Sequence, residues 1–316
     1  MADGVDDLAE AFLREHRHYT SHQVAEMAGV PVYRARRYWR ALGFANVADD
    51  AVEFTDSDVI ALKTLLGLVS DGVYDEDHVL LVARSLGRAT ARLAESQAEL
   101  GAETLDQAGV PLRERPAAWR RRADRVVPDL EQLLVYAWRR QLAAAAGRMV
   151  DQDKMAVRLA VGFADLVGFT RLSRQITEKE LAALVEGFEG RSADVVTSTG
   201  GRVVKTLGDS VLFVAEKAHT AAEIALRLLA AHARVKGMPE LRVGLAIGPV
   251  IGRMGDVFGT TVNLASRLTA LAHPGTILAD PAMAKDLASD PAFTLTPVDR
   301  LTVRGLGELV PFTVHR

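Results

Sequence analysis

The feature that most constrains the fold is a glycine-centred turn between two runs of β-forming residues. The runs are Val203 to Thr206 and Ser210 to Val214, and Leu207-Gly208-Asp209 separates them. β-branched and aromatic residues on both sides of such a turn predict a β-hairpin. The turn presents the carboxylate of Asp209. Acidic turns are commonly no more than solvated turns, so a function for Asp209 depends on what accompanies it.

A second segment adds a carboxylate at the end of an apolar strand. The run that begins at Val161 ends at Asp165 and passes through Gly168 into a predicted helix. Carboxylate oxygens bind Mg²⁺, and backbone N–H groups at a helix start bind phosphate. This order of residues predicts a site for a metal ion and a polyphosphate.

A third segment, Asp256 to Arg267, opens another predicted helix. Asn263 and Arg267 are four residues apart, so they lie on one face of that helix. An amide and a permanent cation therefore share one surface.

These three segments carry a family resemblance. Their patterns are F-x-D-x-x-G-F-T at Phe163 to Thr170, K-T-x-G-D at Lys205 to Asp209, and D-x-x-G-x-T-V-N-x-A-S-R at Asp256 to Arg267. Together they resemble the class III nucleotide cyclase catalytic domain, over residues 157 to 316. The resemblance implies an α+β fold with a ferredoxin-like core. The sequence predicts strands from Met155 to Phe163 and from Leu241 to Ile247, a second hairpin arm around Val250 to Met254, and a helix that begins at the capping box of Thr177 with Glu180. The predicted order β-α-β-β-α-β matches that core.

The resemblance implies a role for each matching residue in the cyclisation of a nucleoside triphosphate. Asp165 and Asp209 would hold two Mg²⁺ or Mn²⁺ ions per site. Asn263 would position the ribose, and Arg267 would stabilise charge that grows on the α-phosphate.

Base selection is implied for two further residues. Adenine offers an acceptor at N1 and a donor at N6, which suit the cation of Lys205 and the carboxylate of Asp256. Phe169 and Thr170 complete the first pattern beside the substrate, and Arg304 stands where the family often has a basic residue that reaches the triphosphate. The implied activity is adenylate cyclase, with ATP converted to cyclic AMP and pyrophosphate.

Two alternatives belong to other classes of function. A guanylate cyclase typically carries Glu and Cys or a small polar residue in place of the Lys205 and Asp256 pair. A DNA-binding regulator with a nucleotide-sensing, cyclase-like domain would use the N-terminal half. In the family, the metal and base-selecting residues come from different subunits. This chain has both sets, so the resemblance implies a homodimer without an obligate protein partner.

Length and composition set broad limits. With 316 residues we expect two domains, an all-α domain over 1–152 that ends in a linker helix and a catalytic domain over 153–316. A net charge of −3 argues against a nucleic-acid partner, and the absence of cysteine excludes disulfides. The N-terminus lacks an apolar signal segment and no apolar run spans a membrane, which predicts a cytoplasmic protein with at most peripheral membrane contact.

The first 43 residues predict two short helices around Gly29. Thr20 is a candidate N-cap, and the second helix carries the basic residues Arg34, Arg36, Arg37 and Arg40. The pattern resembles the helix-turn-helix of MerR-type regulators. In one interpretation these arginines contact DNA. In the other, the two helices only pack within the domain and the arginines lie on their solvated face. The second interpretation is favoured.

The rest of the first half predicts two longer helices. One runs from Asp75 or Asp77 to Leu100 with a seven-residue apolar repeat, suited to pairing subunits or to packing within the domain. Gly101 predicts a loop after it, and an arginine-rich stretch from Arg113 to Arg125 follows. The second helix spans Leu130 to Met149.

A helical domain in front of a cyclase domain resembles the arrangement of mycobacterial and actinobacterial cyclases in which an N-terminal domain inhibits catalysis at neutral pH and releases it in acid. Four histidines lie in this half, His16, His18, His22 and His78. Histidine changes charge between pH 5 and 8. Autoinhibition with pH sensing is therefore a hypothesis for this domain.

Overall fold

The computed structural model describes residues 2–150, 157–303 and 307–316. The chain forms two compact units, Met1–Gly147 and Arg148–Arg316. None of the described helices is long and apolar enough to cross a membrane.

The first unit is helical. Its helices are α1 Ala2–Leu13, α2 Ser21–Met27, α3 Val32–Ala41, α4 Asp56–Ser70, α5 Glu76–Gln107 and α6 Arg115–Val150, with a 3₁₀ turn at Leu112–Glu114. The sequence predicted helix α2, and Thr20 caps it through a capping box with Gln23. No element was predicted for the segment that forms α4. The prediction of an all-α first half is confirmed, apart from an isolated β-bridge between Tyr19 and Phe54.

Helix α5 is longer than predicted, and the loop expected at Gly101 is wrong. The helix continues to Gln107 because Gly101 is where the ring of Trp119 on α6 packs against it. A Cβ at position 101 would lie 1.9 Å from the nearest ring atom. Glycine therefore permits a close helix contact here and does not end the helix.

The seven-residue repeat of α5 divides between two environments. Val79 is buried in the core of the first unit, whereas Leu86 and Leu100 are more than half exposed. Leu100 lines an apolar groove of about 790 Å³ between α1, α5 and α6. Pairing of two subunits along this repeat stays a prediction.

Helix α6 also exceeds its predicted length. It begins at Arg115 and so includes most of the arginine-rich stretch, with Pro128 inside it. Arg115 forms an ion pair with Asp106 at the end of α5.

The second unit alternates strands and helices. Its strands are β1 Val157–Leu166, β2 Arg202–Thr206, β3 Ser210–Ala215, β4 Leu241–Arg253, β5 Asp256–Phe258, β6 Ile277–Ala279, β7 Thr294–Pro297, β8 Leu301–Val303, β9 Gly307–Leu309 and β10 Phe312–His315. Its helices are α7 Phe169–Leu172, α8 Glu178–Ser198, α9 Ala218–Ala233, α10 Thr260–Leu271 and α11 Pro281–Leu287.

The main sheet confirms the ferredoxin-like core. Its strand order is β2-β3-β1-β4-β6-β10-β7, and its first four strands give the order expected for a β-α-β-β-α-β unit. Helices α8, α9 and α11 bury residues such as Phe188, Leu228 and Met283 on one face. Helix α10 buries Val262 and Ala265 on the other face.

Two strands differ from their predicted form. The segments predicted as Leu241 to Ile247 and Val250 to Met254 form one continuous strand, β4, whose far end pairs with β5. Strand β1 continues one residue past Asp165, because Leu166 still pairs with Leu241 of β4. Met155, the predicted start of β1, lies outside the described residues, as does Arg304.

The predicted hairpin of β2 and β3 is confirmed. Gly208 has a φ of 69°, which favours glycine, and Leu207 N donates a 2.8 Å hydrogen bond to Ser210 O across the turn. The turn holds Asp209 at the edge of the sheet where β1 ends.

Candidate active site

The carboxylate-bearing residues Asp165 and Asp209 lie on neighbouring strands. In the antiparallel pairing of β1 with β3, Asp165 lies opposite Ser210, the residue after Asp209. Leu166 N donates a 2.9 Å hydrogen bond to Asp209 O. The two aspartates are therefore adjacent in the structure although they lie far apart in the sequence.

The two aspartates also interact electrostatically. Burial raises the pKa of Asp209 above its usual value, and the negative charge of Asp165 raises it further. A pair of partly buried carboxylates that repel each other is a donor set that a divalent cation would stabilise. The residues present thus fit Mg²⁺ or Mn²⁺.

Arg242 is a contact of Asp165 that the sequence did not reveal. It lies directly opposite Asp165 in the pairing of β1 with β4. Its Nε and Nη2 atoms donate hydrogen bonds of 2.8 and 2.6 Å to Asp165 Oδ2. An arginine in a strand has many ordinary roles, and only the register of β1 with β4 identifies this one.

Lys205 and Asp256 form a second group. Lys205 Nζ donates a 2.6 Å hydrogen bond to Asp256 Oδ2, and both side chains are partly buried. Burial opposes ionisation of Asp256, but the hydrogen bonds from Lys205 and from Val257 N lower its pKa below the usual value. The pair thus presents a cation and an anion side by side.

Asn263 and Arg267 are exposed on α10, on the same face of the helix as predicted. The helix lies close to the sheet because β4 has glycines beneath it. A Cβ on Gly244 would lie 2.3 Å from Thr269 N, and one on Gly248 would lie 2.7 Å from Thr261 Oγ1. The lack of a side chain at these two glycines therefore allows the short distance between α10 and the sheet.

Phe169 and Thr170 begin the short helix α7, which follows strand β1. Gly168, which precedes them, has a φ of 73° and forms the turn. Phe169 packs against the main core of the unit, and Thr170 is exposed. The side chain of Phe169 therefore has a packing role in this structure.

The side chains fall into separate groups in one chain. Asp165, Asp209 and Arg242 interact with one another, and Lys205 interacts with Asp256. Within the described part of the chain, no hydrogen bond or ion pair joins the two groups.

The comparison with family models decides the class of the catalytic unit. Residues 152–316 match the adenylate and guanylate cyclase catalytic domain. The chain belongs to this family. The match covers the strands and helices that carry all of the site residues above.

Related proteins extend the similarity of this cyclase over its helical unit. An adenylate cyclase of Streptomyces coelicolor is 47% identical, over 96% of this chain and 87% of its own length. One of Streptomyces griseus is 50% identical, over 89% and 71%. A pH-sensitive adenylate cyclase of Mycobacterium tuberculosis is 29% identical, over 86% of this chain and 70% of its own.

The arginines of the helix-turn-helix contact carboxylates of the same helical unit. Arg34 forms hydrogen bonds with Glu76, and Arg37 forms ion pairs with Glu76 and Asp77, on the first turn of α5. Arg36 forms an ion pair with Asp49. These contacts support the packing interpretation of the basic helix over contact with DNA.

Three histidines of the helical unit contact carboxylates. His16 Nδ1 lies 2.7 Å from Glu10 Oε2, and His78 Nδ1 lies 2.8 Å from Asp75 Oδ1. His18 Nε2 lies 3.6 Å from Asp56 Oδ1. His22 is exposed on α2.

Proposed function

We propose that the protein is an adenylate cyclase that converts ATP to cyclic AMP and pyrophosphate. The observation that carries the proposal is the contact between Lys205 and Asp256, which presents a donor beside an acceptor. The N1 acceptor and N6 donor of adenine match that pair, whereas guanine has the opposite polarity at both positions. The names of the related Streptomyces proteins support the same substrate.

Asp165 and Asp209 hold the divalent cations in this proposal. Bound Mg²⁺ or Mn²⁺ would lower the pKa of the ribose 3′-hydroxyl and neutralise charge on the triphosphate. Asn263 orients the ribose so that its 3′-oxygen lies in line with the α-phosphorus. Arg267 stabilises the negative charge that grows on the α-phosphate, because a guanidinium stays charged and binds two oxygens.

A homodimer completes each site in this proposal. The separation of the two groups in one chain supports it: Asp165 and Asp209 of one subunit would face Lys205, Asp256 and the α10 residues of the other. Mixing Asp165→Ala with Lys205→Ala protein should then restore activity through one repaired site per mixed dimer. If two inactive variants stay inactive after unfolding and refolding together, the sites are not shared.

The decisive experiment is product analysis with purified protein, Mn²⁺ and either ATP or GTP. We expect cyclic AMP from ATP, and GTP turnover lower by at least about 10-fold, since mismatched hydrogen-bonding groups cost this much or more. Asp165→Ala should give no product with either nucleotide. Equal turnover of GTP would identify a guanylate cyclase or a cyclase without base selection.

The helical unit is proposed as the regulator of this activity, with autoinhibition that depends on pH. The three histidine–carboxylate contacts support the proposal, because histidine is the residue type whose charge changes between pH 5 and 8 and a charged histidine binds a carboxylate more strongly than a neutral one. The related pH-sensitive cyclase of Mycobacterium tuberculosis supports it as well. We place the activity in the cytoplasm, where ATP is available.

A further inference from the structure

The strand that carries Lys205 is irregular at the residue before it. In the antiparallel pairing of β2 with β3, Val203 lies opposite Phe213. The next pair along the ladder joins Lys205 to Leu212, so Val204 is an extra residue without a partner in the ladder. One extra residue in one strand of an antiparallel pair is a β-bulge, and bulges beside active sites change the direction of a side chain.

The bulge decides on which face of the sheet Lys205 lies. Side chains of β3 alternate between two cores: Phe213 and Val211 are buried under α8 and α9, whereas Leu212 is buried under α10. A regular ladder that continued from Val203 would place Lys205 opposite Val211, on the face of α8 and α9. The bulge shifts the register by one residue. Lys205 therefore lies opposite Leu212, on the face of α10.

The packing of β2 agrees with these faces. Val203 packs against the core under α8 and α9, and Val204 packs against the core under α10. Lys205 Nζ donates its hydrogen bond to Asp256 Oδ2, and the residue after that aspartate, Val257, is buried in the same α10 core. The consecutive residues Val204 and Lys205 thus share one face, which a bulge permits and a regular strand does not.

The residue types favour the bulged register. In a regular ladder the ammonium group of Lys205 would face the core that contains Val211 and Phe213, both of which are fully buried. An unpaired charge in an apolar core is strongly unfavourable. In the bulged register Val204 takes an apolar position, and the side chain of Lys205 is 36% exposed beside the carboxylate of Asp256.

We propose that this bulge directs Lys205 to the base and that Val204 is the positioning residue that holds the bulge. The proposal rests on the proposed function, since it takes Lys205 and Asp256 as the pair that selects adenine. It assigns Val204 no contact with the nucleotide. Val204 is β-branched and has few rotamers, so its packing under α10 fixes the backbone next to Lys205. Misplacement of a binding group by about 1 Å can cost on the order of 100-fold in rate.

The first test measures kcat/KM for ATP and for GTP with the full-length protein and Mn²⁺. We expect Val204→Ala to lower the ATP to GTP ratio by at least about 5-fold, mainly through a lower kcat/KM for ATP. Val204→Ile keeps the branched side chain and should retain most of the ratio. The matched control Val203→Ala makes the same truncation in the core under α8 and α9. It should leave the ratio unchanged, and both alanine variants should require the same Mn²⁺ concentration as wild type.

The outcomes of this test separate two failures. If the wild-type protein turns over ATP and GTP equally, the base selection of the proposed function is wrong. If it prefers ATP and Val204→Ala changes the ratio no more than Val203→Ala does, Val204 has only a structural role and the positioning proposal is overturned. Melting temperatures show whether the variants are folded. Val204→Leu, which removes the branching but stays apolar, takes the place of the alanine variant if that variant is unfolded, with the same expected loss.

The second test determines whether Val204 acts through Lys205. Calorimetry measures the binding of 3′-deoxy-ATP, which lacks the reacting hydroxyl, in the wild-type and the Lys205→Ala backgrounds. Val204→Ala should weaken binding by at least about 3-fold when Lys205 is present and by less than about 1.5-fold when it is absent, because two residues that act as one unit are not additive. Equal effects in the two backgrounds, including none in either, would overturn the proposal.

Discussion

Lys205 Nζ lies 2.6 Å from Asp256 Oδ2, although the two residues are 51 positions apart and belong to different strands, β2 and β5. Because the two side chains hold each other in place, the pair that we propose to select the base is preformed. Preformed polar groups lose little conformational entropy on binding and discriminate strongly against bases that leave them unpaired.

The first prediction is a change of base preference. Lys205→Glu with Asp256→Cys should lower kcat/KM for ATP and raise it for GTP, because glutamate accepts from guanine N1. We expect a change in the ATP to GTP ratio of at least about 10-fold, measured by chromatography of the cyclic products. Lys217→Ala, an exposed lysine just before α9, is the control and should not alter the ratio. An unchanged ratio in the double variant would contradict a role for the pair in base selection.

The local patterns of the catalytic unit were strong enough to predict its core from sequence. The hairpin around Gly208, the capping box of Thr177 with Glu180 and the helix of Asn263 each follow from contacts within a few residues. The pattern around Gly101 failed, because its glycine is required by Trp119, a distant residue on another helix. Intrinsic propensity is a weak guide wherever tertiary packing decides.

In the candidate active site, too, local patterns could be found from the sequence, whereas contacts between distant residues could not. Family patterns named Asp165 and Asp209, but only strand register shows that they are adjacent. Arg242 was missed because its partner is 77 positions away, and its local sequence has no feature that marks it. Contacts between strands depend on register, which a single sequence does not specify for β1 and β4.

The second prediction concerns Gly101. Gly101→Ala should destabilise the helical unit by about 1–3 kcal/mol, because the new methyl group would overlap the Trp119 ring. Gly67→Ala in α4 is the matched control. No atom lies within 4 Å of the added Cβ there, so we expect a gain of about 0.5–1 kcal/mol. Urea unfolding monitored by circular dichroism measures both, and equal effects at the two positions would contradict the close packing of α5 on α6.

The third prediction concerns regulation by the helical unit. Activity of the full-length protein should differ more between pH 5.5 and pH 8 than activity of a fragment that begins at residue 148. Replacing His16, His18 and His78 together by glutamine should make the full-length profile resemble that of the fragment. These histidines contact the carboxylates of Glu10, Asp56 and Asp75, and a charged histidine binds a carboxylate more strongly than a neutral one does. Identical profiles for wild type and fragment would contradict regulation by pH through this unit.

The fourth prediction concerns acid unfolding of the catalytic unit. It depends on His232, a histidine of α9 that packs against α8. His232 is 1% exposed, its Nε2 lies 3.2 Å from Ser192 Oγ, and its ring packs on Phe188. Burial, together with the positive charge of Arg191, lowers the pKa of His232 from 6.5 to about 4. The folded protein therefore holds this histidine neutral.

The sign of the pH effect follows from proton binding. Between pH 6.5 and pH 4 the unfolded chain binds a proton at His232 that the folded chain does not, so the free energy of unfolding falls as the pH falls. We expect a loss on the order of 2 kcal/mol between pH 7 and pH 4.5 from this residue. His232→Gln should show a smaller loss, and the exposed control His273→Gln should behave as wild type. Urea unfolding at a series of pH values measures this, and parallel curves for wild type and His232→Gln would show that His232 titrates normally in the folded state.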